Sequence, residues 1–256
     1  MEFSRFPLRH SACASGGMLE SSTLFSPSSP TYPPHLGNAG FLEHEASVFV
    51  PLAEHGSGIF AGLLRRLRRE RRRRKVGRAY DMALEIARII PSAYEILDVG
   101  CGNGYIAQHL AGLLGSYVLG IDVDGAPEAP INFRRFDGKN FPTTDHTFEA
   151  VLFCYVLHHA QDVNALLSEV RRVLRSAGVV VVYEDIPATG WDRFTCGIHN
   201  RKWRGCTGEC TFRREVQWRE AFEGAGFEIL QQRRLSRWRN LVHPVRRHLF
   251  LLQVAK

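Results

Sequence analysis

Four stretches of the chain carry residue types at spacings suited to chemistry. The first is Ile96-Leu97-Asp98-Val99-Gly100-Cys101-Gly102-Asn103-Gly104, where three glycines alternate after an apolar run and just before a helical pattern. Glycine at such a junction lets the backbone turn sharply and approach a ligand with no Cβ in the way. The second is Asp122, closing the run Tyr117-Val118-Leu119-Gly120-Ile121-Asp122; acids at the end of a second strand bond ribose hydroxyls. The third, Asp137-Gly138, follows a third short strand, where a carboxylate can accept from an adenine amino group. An isolated Asp-Gly is also an ordinary turn, so its place in the series carries this reading. The fourth, Phe153-Cys154-Tyr155-Val156-Leu157-His158-His159, ends the next apolar run and should line the reacting end of the same pocket.

Dinucleotide sites use glycine loops as well, so the loop alone does not choose a ligand. Asp98 does. A pyrophosphate would bring negative charge against this carboxylate, whereas S-adenosylmethionine has no phosphate and carries a sulfonium and an ammonium. The expected cofactor site is Asp98, Gly100, Cys101, Gly102, Gly104, Asp122, Asp137, Gly138 and Phe153. Methyl transfer from a sulfonium is an in-line displacement, in which the protein positions the nucleophile and excludes water. A base is needed only where an acceptor hydroxyl must lose its proton. His158 and His159 are the candidates, as bases or as pocket wall. No Asn-Pro-Pro or Asp-Pro-Pro follows the fourth strand, and Cys154 has no preceding proline, so it reads as a buried, inert thiol. Residues 185–212 are the expected substrate cover, with Tyr155, Trp191 and His199 lining the acceptor. Cys196, His199, Cys206 and Cys210 do not form a standard zinc spacing, and no metal ligand is assigned.

These residues need a scaffold, and the chain supplies alternating strand and helix patterns. Strands are expected at 94–99, 116–121, 131–136, 148–155 and 178–184, with helices at 103–114 and 162–174. An irregular stretch follows, then a helix at 213–224 and strands at 227–235 and 247–255. Upstream, Ile59, Phe60, Leu63, Leu64 and Leu67 have helical spacing, and a second helical pattern over 78–90 stops at Pro91. Such alternation argues for a mostly parallel sheet with helices on both faces.

From Tyr80 to Lys256 the chain resembles the class I S-adenosylmethionine-dependent methyltransferases, in their small-molecule, methyltransferase-11-like group. The matching stretches are 96–104, 120–122, 136–138, 148–151, Val156-Leu157-His158-His159, Glu169-Val170-Arg171-Arg172-Val173-Leu174 and the late Trp218…Phe222…Gly224-Ala225-Gly226-Phe227. The resemblance implies an α/β, Rossmann-like three-layer sandwich: a seven-stranded, mostly parallel sheet with an antiparallel last strand. It also implies methyl transfer to a small acceptor, and the aromatic residues of the 185–212 cover suit a lipophilic one. Two alternatives stay open, an RNA or protein methyltransferase using an arginine run, and a non-catalytic cofactor-binding regulator. One departure stands out. Only 123–130, with Pro127 and Pro130, separates the second and third strands, where a parallel crossover normally takes about a dozen residues or more. One sheet face is therefore expected to need cover from the N-terminal segment or a second subunit.

Charge is concentrated. The net charge is +7, yet Arg65–Arg78 holds ten basic residues against Glu70, a local +9 that leaves about −2 elsewhere. This segment, 59–78, reads in three ways: a solvated charged face, an interfacial helix on an anionic membrane, or a nucleic-acid contact, which lacks interleaved aromatics for stacking. Residues 1–58, rich in Ser, Pro and Gly, are expected to be a disordered or loosely packed extension, and 79–256 the methyltransferase domain. The longest apolar runs fall far short of the ~18–20 residues of a membrane span. Six scattered cysteines make no disulfide framework, and a cytoplasmic protein, peripheral at most to a membrane, is expected.

Overall fold

The computed structural model describes residues 58–90, 93–237 and 243–256. Residues 1–57 of the expected extension lie outside them, as do the side chains of Ile59 and Phe60. Among the described residues, seven strands form one sheet: β1 (Glu95–Val99), β2 (Tyr117–Asp122), β3 (Asn132–Arg135), β4 (Phe148–Cys154), β5 (Leu174–Ile186), β6 (Phe227–Leu235) and β7 (Arg246–Val254). Their order is β3-β2-β1-β4-β5-β7-β6. The pairs from β3 through β5 are parallel, and β7 runs antiparallel to both β5 and β6. This is the expected Rossmann-like sandwich with its antiparallel last strand.

The central strands are apolar because both of their faces are covered. On one face, Ala83, Ile86 and Ile90 of α1 (Gly58–Ile89) and its following turn, with Ala107 and Leu110 of α2 (Tyr105–Leu114), pack on Ile96, Val118, Leu152 and Tyr183. On the other, Leu166, Leu167 and Val170 of α3 (Val163–Val173) and Trp218 and Phe222 of α5 (Glu215–Gly224) pack on Leu97, Val99, Val151 and Phe250. The short β2–β3 connection forms no helix, and its Ala129 and the following Ile131 pack with Val76, Ala79 and Tyr105 of the first two helices. Glu128 in this connection accepts from the Tyr105 hydroxyl at 2.9 Å and from Asn103, and faces Lys75 at 3.5 Å and Arg72 at 3.8 Å.

Two elements differ from the sequence reading. The separate helical patterns at 59–67 and 78–90 are parts of one helix of 32 residues, because arginine and lysine favour helix and nothing in the run breaks it. The stretch read as irregular contains α4 (Gly190–Thr207), capped by Thr189, whose hydroxyl accepts from the Asp192 amide while the Asp192 carboxylate accepts from the Thr189 amide. Glycines at 190, 197 and 205 and scattered aromatics obscured its period, but Thr189-Gly190-Trp191-Asp192 is a capping-box signature.

Candidate active site

At the β1/β4 boundary the sheet order reverses direction, and in open α/β sheets the crevice beyond the strands' carboxyl ends at such a point is where ligands bind. A cleft of about 430 Å³ lies there. Its walls include Asp98, the loop Gly100–Gly104, Tyr155, His158, Asp185, His199, His243 and Arg247, with Lys75, Arg78 and Met82 of α1.

The glycine loop is fastened to the end of β2. Gly100 and Cys101 donate to the Ile121 carbonyl at 2.8 and 3.1 Å, and the Gly102 amide donates to the Asp122 carboxylate at 2.8 Å. Gly100 must be glycine on two counts. Its φ is +68°, and a Cβ there would lie 2.5 Å from a methyl of Val156. Asp98, immediately before the loop, is buried, and neither of its carboxylate oxygens has a hydrogen-bond partner. Burial, and then the neighbouring Asp122, raise its pKa from 3.8 to about 7.

Past β4 the chain makes a 3₁₀ turn, Leu157–His159, that puts His158 on the cleft wall and the His159 ring beside it, with centroids 4.2 Å apart. Tyr155, entering it, has a φ of +64°, a conformation costly for a side chain with a Cβ and typical of functional sites. Glu184, fully buried at the end of β5, holds this turn: its carboxylate accepts from the Leu157 amide and from His158 Nδ1, both at 2.7 Å. His158 Nε2 is buried and has no partner. Burial acts to lower the His158 pKa, but the Glu184 carboxylate more than offsets it, and the net shift is upward. His159 and His199 go the other way, to about 4, through burial first and the charge of His158 second. The His199 ring on α4 brings its Nε2 to 3.3 Å from His159 Nε2, and Cys210 Sγ sits 3.3 Å from His159 Nδ1. Phe212 stacks on His158 with ring centroids 4.6 Å apart. Beside this group Asp185 pairs with His243 at 2.9 Å and Arg247 at 3.0 Å.

A model of the methyltransferase domain matches residues 97–182. An uncharacterized methyltransferase of Mycobacterium tuberculosis is 30% identical over 147 residues, which are 48% of this chain and 72% of that relative. The chain belongs to the methyltransferase domain family. The class I resemblance read from 96–104 onward is borne out. The sterol 24-C-methyltransferase of Yarrowia lipolytica is 26% identical over 77% of this chain, but the chain spans only 56% of that enzyme and 28% of its Gibberella zeae counterpart. Among solved structures, the 1,6-didemethyltoxoflavin-N1-methyltransferase of Burkholderia thailandensis shares the fold, with a TM-score of 0.56 at 18% identity over 82% of this chain and 94% of that one.

Within this methyltransferase domain the expected site residues separate into groups. Asp98, Gly100, Cys101, Gly102, Gly104, Tyr155, His158 and His199 all line the cleft. Asp122, not itself among the cleft walls, accepts from the Gly102 amide of the loop. Asp137 is exposed after β3, and its carboxylate accepts from the Lys139 and Asn140 amides and the Asn140 side chain, which hold its pKa near 2. Gly138, with φ +83°, completes that turn. Phe153 is fully buried in the core, away from the cleft walls, because the strand alternation that aims Cys154 at the cleft turns its neighbour to the other face. Trp191 is exposed on α4 and pairs with Phe194, at 6.0 Å. Cys154 lines the cleft, and burial pushes its thiol well up, as an inert sulfur requires. Cys196 is buried near Asp185 and Asp192, and the Cys206 side chain lies outside the described residues. Sequence reasoning missed Glu184, Asp185 and His243. Two adjacent acids closing the buried run Val179–Tyr183 were the available signal.

Proposed function

We propose that the protein transfers a methyl group from S-adenosylmethionine to a small acceptor bound between the glycine loop and α4. The observation that carries this reading is Asp98: a buried carboxylate with two unmatched oxygens, facing a cleft beside a glycine loop. Such a group calls for a cationic ligand, and a phosphate-bearing one would be repelled. S-adenosylmethionine supplies a reactive methyl on a sulfonium. Asp98 would take its ammonium end, the Gly100–Gly104 backbone would lie along it, and Asp122 would receive the ribose while steadying the loop. Tyr155, His158 and His199 would then surround the acceptor. The likeness to sterol methyltransferases supports a lipophilic acceptor, as do the aromatic Phe212 and Trp203 beside the histidines. Titration calorimetry with S-adenosylhomocysteine tests the cofactor half. Micromolar binding, weakened at least tenfold in Asp98→Asn and in Asp122→Ala, is expected; no binding to well-folded protein would refute the reading.

The basic segment favours contact with an anionic membrane. Leu63, Leu64 and Leu67 are exposed on α1 among exposed arginines, which is how an interfacial helix is built. No helix among the described residues is long and apolar enough to cross a membrane. Flotation with phosphatidylserine vesicles but not with neutral ones is the expected result, and equal recovery with both would refute this contact.

A further inference from the structure

We infer that His158, His159 and His199 form a binding site for a divalent transition-metal ion of the zinc class, with an open position facing the acceptor end of the cleft. One ring nitrogen from each of the three lies within 4.8 Å of the others. Nitrogens on a tetrahedral ion at about 2.0–2.1 Å sit about 3.3–3.4 Å apart, and the His159 and His199 Nε2 atoms are already 3.3 Å apart. The other separations, at most 4.8 Å, are the ones that binding an ion would have to close.

The surroundings are those of a ligand set. Metal-bound imidazoles characteristically donate their second nitrogen to a carboxylate, which fixes tautomer and orientation. His158 does so: Nδ1 donates to the buried Glu184 carboxylate, and an ion would take the neutral ring, whose lone pair is then on Nε2; that atom is buried without a partner. Cys210 sits on the Nδ1 side of His159, so it supports the ring and does not compete for the same ion. A hydrogen bond between His159 and His199 would explain their contact but leave His158 Nε2 unmatched. A cation explains both. The site also draws on three separate elements: the turn after β4, the end of β5 and α4.

His158 and His199 are cleft walls, so the fourth position opens toward the acceptor. The consequence for chemistry rests on the methyl-transfer reading above. A hydroxyl or thiol acceptor ligated there would release its proton to solvent. Its freed electron pair would form the bond to the methyl carbon as the carbon–sulfur bond of the sulfonium breaks, leaving a neutral thioether.

The test uses the full-length protein, stripped with chelator and titrated with Co²⁺ and then Zn²⁺. One equivalent of Co²⁺ should give the visible absorption of a four- or five-coordinate nitrogen site, displaced by Zn²⁺. Affinity should drop at least tenfold in His159→Ala, His199→Ala and Glu184→Gln, and stay unchanged in Cys196→Ser and Cys206→Ser. S-adenosylhomocysteine titration of the same samples reports folding and the cofactor site independently. Absent Co²⁺ binding in protein that binds S-adenosylhomocysteine, binding that survives both histidine substitutions, or strong thiolate-to-cobalt charge transfer would each overturn the assignment. If S-adenosylhomocysteine fails to bind while Co²⁺ still does, the metal site stands and the methyl-transfer reading falls.

Discussion

Asp98 concentrates the electrostatic problem of this cleft in one side chain. Its pKa in the folded protein, about 7, lies above the ordinary 3.8, so the native state holds that proton more tightly than the unfolded chain does. Unfolded chains bind fewer protons at this group between those values, and ligand-free stability should fall as pH rises through that window. Urea denaturation from pH 4 to pH 8 checks this, with Asp98→Asn expected to remove this contribution to the slope. Ligand binding should run the other way. A cationic cofactor needs the ionised carboxylate, so affinity for S-adenosylmethionine should climb as pH passes about 7 and flatten in Asp98→Asn. Gly100 poses a steric problem instead. An alanine there would meet Val156 in a backbone conformation that disfavours any Cβ, and a loss of at least tenfold in S-adenosylhomocysteine affinity by calorimetry is expected from Gly100→Ala.

At the level of elements, α4 carries the acceptor end of the site because it alone among the helices delivers His199. Its position depends on its first turn. Asp192 is fully buried, caps Thr189, pairs with Arg237 at 3.4 Å and accepts from the Arg246 amide at 3.2 Å, joining α4 to β7. Thr189→Ala removes the cap and the hydroxyl that donates to the buried Asp192 carboxylate at 2.7 Å, and should cost about 1–2 kcal/mol in urea unfolding. Leu167→Ala, deep between α3 and the sheet, belongs to a different class and should cost ~2–5 kcal/mol. If Thr189→Ala proved as severe as Leu167→Ala, α4 would be integral to the cooperative core and not an appended cover.

Across the whole molecule, the excess positive charge sits on one long helix, with eleven basic residues against three acids, whose Lys75 and Arg78 reach the cleft while the arginines from Arg65 to Arg74 stay exposed. The ion pairs that tie this helix to the β2–β3 connection, Arg72 and Lys75 with Glu128, are substantially exposed. Glu128→Ala should therefore shift stability by less than about 1 kcal/mol. Attraction of the arginine run to an anionic surface should be lost at about 1 M salt, where charges more than ~3 Å apart are screened. Vesicle flotation across a salt series measures this.

The sequence by itself determined the sheet, the glycine loop and the acid before it. Those features are local: a strand's apolar run, a turn that admits only glycine, a carboxylate adjacent in the chain. Helix α4 was less legible because glycines and exposed aromatics broke its period, although Thr189 and Asp192 marked its start. Tertiary structure alone decided that Phe153 faces the core while Cys154 lines the cleft. It alone placed Glu184, 26 residues on from His158, against that ring, and brought His199 from 40 residues beyond His159 to face it. Spacings of that length have no period to read. They become contacts only when the parallel crossovers set β4, β5 and α4 side by side.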